Sequence, residues 1–321
     1  MSSASTTDVA RVARVSRRVL AAAATAAVAC GCAGPAGAPP SSYVAAAALD
    51  APPAATRPVE RRVLRIGADP NNLPFTNKDL AGLENRIAAI VSEELGAAPE
   101  YVWRAQRRGF FRHALAQGES DLVLAAPAGF DMGLTTRPYY RSAYAFVYRK
   151  SAKELAGLRS LDDGRLKRLK IGIQLVGDDG ANAPPAHALG ARGLGGNLVG
   201  YTVFGDYRDA NPAARVMRAL ADGEVDVAVA WGPVAGFFAS RSPKDELVVA
   251  PIAEAVDPLT KLPMTFEICM AVRRGNGKLR DELDGALARR RADIERVLDE
   301  YHVPRLAARE PEARGSGGND R

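Results

Sequence analysis

From Arg61 onward, short apolar runs rich in β-branched residues alternate with stretches whose apolar positions recur at helical spacing. Val63-Leu64-Arg65-Ile66-Gly67 predicts a strand, Asp69 to Phe75 a loop shaped by Pro and Asn, and Leu83 to Leu95 a helix stopped by Gly96. The order repeats with a strand at Glu100 to Trp103, a helix at Phe110 to Ala116 closed by Gly118, and a buried strand at Asp121 to Ala126. Ser142 to Arg149 reads as a longer strand. A second set follows, with strands at Lys170 to Leu175 and Val225 to Ala230 and a helix over Ala213 to Ala221. Leu247 to Ala250 and Ile268 to Val272 are extended, and Lys278 to Tyr301 predicts one long charged helix.

Alternating strands and helices imply parallel sheets with crossover helices. A second αβ set between two extended passages predicts an α/β fold of two αβ lobes, joined by two crossings and separated by a central cleft. The expected layout is an export signal over 1–32, an Ala/Pro linker over 33–60, lobe one over 61–142 plus 250–306, lobe two over 143–249, and a disordered tail over 307–321.

The first 32 residues have the anatomy of an export signal: Arg11, Arg14, Arg17 and Arg18, then the Ala-rich run Leu20 to Ala29, then small residues. Ser16-Arg17-Arg18-Val19-Leu20 resembles a twin-arginine signal. Ala27-Val28-Ala29-Cys30 loosely resembles a lipoprotein cleavage site and leaves a lipid anchor at Cys30 open. Among 321 residues the formal charge is +6, and half of that excess lies in the leader. No aromatic-interleaved basic stripe is present, which argues against nucleic-acid binding. Beyond the leader no apolar run reaches the roughly 20 residues of a membrane span. Cleavage would leave Cys269 alone, in the apolar run Phe266 to Val272, as a core thiol. His113, His187 and His302 have no metal-ligand spacing, so neither a metal nor a cofactor is expected.

Five pieces, in order, resemble the extracellular solute-binding proteins (family 3) that include the polar amino-acid receptors of ABC transporters: Leu73-Pro74-Phe75, Gly118 to Leu122, Arg137-Pro138-Tyr139-Tyr140, Ser160 to Asp163, and Gly223 to Ala228. The likeness covers Arg61 to Leu306 and implies the type II periplasmic-binding-protein fold. Other pieces are similar to one branch, the MxaJ/XoxJ proteins associated with quinoprotein (PQQ-dependent) methanol dehydrogenases. These are Ala68 to Phe75, Glu84 to Ile87, Ala105 to Phe110, Pro127 to Asp131, Leu134 to Ser142, Gln174 to Gly180 with Pro184 to Leu189, and Trp231-Gly232-Pro233. That resemblance implies a periplasmic accessory of alcohol oxidation with the dehydrogenase as partner and its c-type cytochrome as a further candidate. The receptors' carboxylate-clamping Arg and ammonium-holding Asp are replaced here by Ala128 to Asp131 and Ala230 to Gly232, which speaks against an amino-acid ligand.

Residues expected to line the cleft follow from position. Asp69, Asn71, Asn72 and Phe75 end the first strand, where open α/β sheets bind ligands, though Pro and Asn also shape turns there. Gln174, Asp178 and Asp179 hold the equivalent edge of lobe two, and the two carboxylates suit a polar partner group or a turn cap. Trp103, Arg107 and Arg108 pair aromatic area with cationic forks, which suits protein recognition or a solvated basic surface. Phe130 and Trp231 stand where polar anchors are expected and would make the cleft apolar, or fill a core.

No nucleophile with its base, metal cluster or phosphate loop is recognisable, which argues against an enzyme. The expectation is a binding protein that assists maturation or activation of a methanol dehydrogenase. The alternative is an ABC-transporter receptor for a small ligand that is not an amino acid.

Overall fold

The computed structural model describes residues 62–107, 109–175, 183–203, 208–242 and 246–307. The predicted leader, the linker, Arg108, Asp178, Asp179 and all of the predicted tail beyond Ala307 lie outside them.

The chain opens with β1 (Arg62–Ala68), the short hairpin β2 (Asn71–Asn72) and β3 (Thr76–Asn77), α1 (Leu83–Glu94), β4 (Ala97–Trp103), a wide π-type turn over Arg112–Ala116, β5 (Leu122–Pro127) and β6 (Leu134–Thr135). It crosses over in β7 (Tyr140–Arg149). The second set is β8 (Ile171–Leu175), α2 (Pro184–Ala191), β9 (Leu198–Thr202), α3 (Arg215–Ala221), β10 (Val227–Trp231) and α4 (Gly232–Ala239). The return runs through β11 (Leu247–Pro251) and β12 (Thr265–Val272) to α5 (Gly277–Arg289) and α6 (Arg291–Glu300). The one long C-terminal helix expected from the charge pattern is thus two, broken at Arg290, where a non-helical backbone (φ −100°, ψ 18°) lets both halves bury apolar faces.

One continuous sheet runs β4-β1-β5-β12-β7-β10-β8-β9. Its outer thirds, β4-β1-β5 and β10-β8-β9, are parallel; β12 and β7 between them are antiparallel to their neighbours. β7 carries the crossing. Tyr140 to Ala143 pair with β12, while Tyr144 to Val147 pair with β10 and Ala145 to Arg149 with β11.

Each lobe has its own core. Leu64, Ile66, Leu122 and Leu124 pack against Ile87 and Val91 of α1 and against Leu283, Val297 and Leu298 of the last two helices. On the other side of the crossing, Phe146, Ile171, Ile173 and Val229 pack with Leu155, Leu158 and Leu189, while Val147 and Ala228 back onto Val216 and Leu220. Strands buried on both faces carry near-continuous apolar runs, which is why β5 and β10 are so legible in the sequence. Cys269 is fully buried, and burial pushes its thiol up to about 12.

α4 ties the lobes together. Phe237 stacks on Tyr301 (centroids 5.4 Å, 15°), and the Ser142 hydroxyl donates to the Pro304 carbonyl at 2.6 Å. Gly236 is required because a Cβ there would overlap the His302 carbonyl oxygen.

Candidate functional site

Asp69 follows β1, buried to 2% exposure. Its Oδ1 accepts from the Asn71 N–H (2.7 Å) and its Oδ2 from the Gln106 N–H (2.6 Å), while its carbonyl accepts from the Thr76 hydroxyl (2.7 Å). Burial raises its pKa, against the pull of those two N–H groups and of Arg107. The carboxylate is therefore engaged in joining the β1 loop to the loop after β4, the Asx-turn role that Asp commonly takes. Asn72 reinforces the joint by donating to Gln106 Oε1 at 2.9 Å.

Loops from both lobes meet in a seam. Asn71 Nδ2 donates to the Asp209 carbonyl of lobe two at 2.7 Å, and Asp209 is fixed by Arg215 (2.8 Å), Arg218 (2.7 Å) and the Asn211 N–H (3.0 Å). Beside this bond Phe75 packs with Val203, Ala213, Val234, Trp231 and Phe238. The chain's own side chains fill this part of the interlobe space.

The floor is aromatic. Trp231, at the end of β10, meets Tyr144 of β7 at 5.3 Å and Phe266 of β12 at 5.7 Å, both edge to face. The main-chain N–H of Trp231 donates to Gln174 Oε1 at 3.0 Å, while Gln174 Nε2 is buried without a hydrogen-bond partner among the described residues. Tyr144 and Phe266 join Trp231 in this floor, a placement that strand periodicity alone could not single out, since a crossing strand and a core strand give the same pattern.

Next to this floor a groove of about 550 Å³ runs between Pro127 to Asp131 of lobe one and Ala255, Val256 and Pro263 of the return segment. Arg141, Thr265, Phe266 and Glu267 line its base. Phe130 borders it and packs on Phe111 at 4.6 Å. Trp103 does not join this arrangement: it stacks on Tyr101 (4.8 Å, 11°), whose hydroxyl donates to the Asn85 carbonyl. Arg107 is exposed on the loop after β4. The expected cleft residues therefore divide among a seam (Asn71, Phe75, with Asp69 and Asn72 behind it), a floor (Gln174, Trp231), a groove wall (Phe130) and an outer surface (Trp103, Arg107).

The wall formed by the return segment is pinned by Asp257. Its carboxylate, 1% exposed, pairs with Arg192 at 2.7 Å and accepts from the Thr260 N–H and hydroxyl at 2.7 Å each. Burial opposes ionisation, but Arg192 and Thr260 outweigh it and hold Asp257 at about 2.

Glu84, in the first turn of α1, is 7% exposed with Oε1 unpartnered among the described residues. Burial pushes its carboxyl up to about 8. Tyr140, within its electrostatic reach, likewise has a buried hydroxyl without a partner among those residues, and burial raises its pKa. Among the described residues no group of three or more His, Cys, Asp or Glu is placed to hold a metal ion, and no helix is long and apolar enough to cross a membrane.

No family model matches the chain. Protein MoxJ of Methylorubrum extorquens is 32% identical over 245 residues, 73% of this chain and 78% of that protein. The crystal structure of the periplasmic binding protein XoxJ from Methylobacterium extorquens AM1 is similar at 38% identity and a TM-score of 0.61, covering 77% of this chain and all of that one. MxaJ from Methlophaga aminisulfidivorans MPT, at 22% identity and a TM-score of 0.62 over 76% of this chain and all of that one, shares the fold. The sequence identity to MoxJ and XoxJ, together with the two αβ lobes joined through β7 and the return segment, shows that the chain belongs to the MoxJ/MxaJ/XoxJ family of periplasmic binding proteins.

Proposed function

We propose that the chain works in the periplasm as a non-enzymatic accessory of a PQQ-dependent methanol or alcohol dehydrogenase, assisting its maturation or activation by protein interaction. The observation that carries this reading is the seam. Phe75, Trp231, Val203 and Val234 come together beyond the carboxyl ends of β1, β9 and β10, the side on which open α/β sheets take their ligands, and Asn71 is bonded across the seam to Asp209. The charges at this seam, Asp209 with Arg215 and Arg218, are already paired with one another, and its apolar filling does little to offset the desolvation of a small polar solute. Glu84, whose carboxyl burial pushes up to about 8, is closed off in the lobe-one core, and among the described residues no group of three or more His, Cys, Asp or Glu is placed to hold a metal ion.

Deletion of the gene, with dehydrogenase activity and co-purification as readouts, tests the proposal. Loss of activity restored by the wild-type gene supports it, and full activity in the deletion strain refutes it. The groove of about 550 Å³ favours a second reading, a receptor for a small solute, because its size falls within the range of small-molecule pockets. Native mass spectrometry of the purified chain decides between them: a retained small molecule supports the receptor.

A further inference from the structure

Glu84 sits between the lobe-one core and the interlobe seam. Its main-chain N–H donates to the Phe75 carbonyl at 2.9 Å, and the N–H of Leu83 donates to the Pro74 carbonyl at 2.7 Å, so the first turn of α1 holds the Pro74–Phe75 turn in place. The approach is close, since a Cβ on Gly82 would overlap the Phe75 carbonyl. Phe75 in turn packs both on the lobe-one core and on Val203, Val234 and Trp231 in the seam. Whatever shifts this turn against α1 therefore shifts a seam residue.

The Glu84 carboxyl has little to stabilise a charge where it lies. Burial raises its pKa, and its Oε1 is unpartnered among the described residues. The titratable groups that face it are phenols: Tyr101 of β4, and Tyr139 and Tyr140 at the entry to β7. Cys269 of β12 lies beyond Tyr139, its thiol raised by burial. From α6, Tyr301 donates to the Ala81 carbonyl and Glu300 is bonded to Arg86. Arg289 of α5 and Arg290 after it are bonded to Glu94 and Glu93 at the far end of α1. β3 and β5, which also pack on α1, carry no titratable side chain. A carboxylate buried without a cation is costly. Lifting the Pro74–Phe75 turn is the least disruptive way to hydrate it, because Ile87, Ala88 and Val91 fix the body of α1 in the core.

We propose that Glu84 is a proton-controlled catch on the interlobe seam. While the carboxyl keeps its proton, the Pro74–Phe75 turn stays on α1 and Phe75 stays in the seam. When the proton passes to solvent, the turn lifts and carries Phe75 out of the seam, while the body of lobe one remains folded. The catch belongs to the chain alone and holds whether it serves a dehydrogenase or a small solute.

Amide exchange of the full-length chain, followed by NMR and corrected for the intrinsic pH dependence of exchange, tests this. Opening that hydrates Glu84 is favoured by its ionisation between the ordinary value of 4.5 and the folded value of about 8. Protection of the Phe75, Leu83 and Glu84 amides should therefore fall roughly tenfold per pH unit across that window and level off above it. Throughout, these amides should exchange at least about tenfold faster than those of Val297 and Leu298 in α6, which report unfolding of the whole lobe. Glu84→Gln should abolish the slope, and Glu84→Met gives the same reading if the Gln variant does not fold. A flat profile at the three amides in wild type would overturn the proposal. So would exchange there no faster than at Val297 and Leu298, or a slope that survives in the neutral variants.

Discussion

The side-chain amide of Asn71 donates to the main-chain oxygen of Asp209 at 2.7 Å, joining loops 138 residues apart in sequence and on opposite sides of the crossing. Phe75 and Val203 pack beside it, so the bond ties the two lobes in the manner of a latch. Replacing Asn71 by Ala should cost about 1 kcal/mol, the typical net worth of one such bond. Amide exchange should quicken at Asn211, Ala213 and Ala214 while that of β1 stays unchanged. Unaltered exchange at these three amides would mean the bond contributes nothing to closure.

Glu84 should make the protein less stable as the solution becomes more alkaline. Its folded-state carboxyl titrates at about 8, above an ordinary value of 4.5, so between these values the folded state holds a proton that the unfolded state has released. Stability from this group is full below about pH 4.5, falls as pH rises toward 8 and then levels off, a change on the order of a few kcal/mol. Glu84→Gln removes the slope. Urea melts across that pH window should therefore converge for wild type and variant at low pH and diverge at high pH, with the variant the more stable.

Asp257 acts in the opposite direction. Held at about 2 by Arg192 and Thr260 against the effect of burial, it contributes stability above its unfolded pKa that is lost as pH falls through the folded value. Arg192→Ala should cost about 3–5 kcal/mol, since it leaves a carboxylate buried without its partner, and should expose the return segment to limited proteolysis near Leu259. An intact segment and an unchanged midpoint would show that Thr260 alone suffices.

Gly236→Ala should destabilise the chain although Ala is the better helix former by about 1 kcal/mol. The new methyl would overlap the His302 carbonyl, and main chain cannot rotate away as a side chain can. Overpacking of this kind costs about 1–3 kcal/mol or more, so the clash outweighs propensity. The expected readout is a lower melting temperature together with weaker Phe237–Tyr301 stacking, seen as a changed tyrosine environment in near-ultraviolet circular dichroism.

The sequence by itself determined the main strands of both lobes, because β5 and β10 are buried on both faces and must be apolar almost throughout, whereas α2, β9, α4 and the break between α5 and α6 were not legible in it. It also determined the crossing at β7, whose length and alternation exceed those of the parallel strands. It could not fix what the expected cleft residues do. Asp69 and Asn72 are turn formers in any fold, and only the approach of the loop after β4 turns them into a joint through Gln106. Asn71 finds Asp209, and Trp231 finds Tyr144 and Phe266, across distances that no local spacing encodes. The groove walls, likewise, come from Pro127 to Asp131 and from the return segment, two stretches brought face to face only when the lobes fold back on each other. Periodicity records which face of an element is buried, whereas the identity of its neighbour is set by packing between elements distant in the chain.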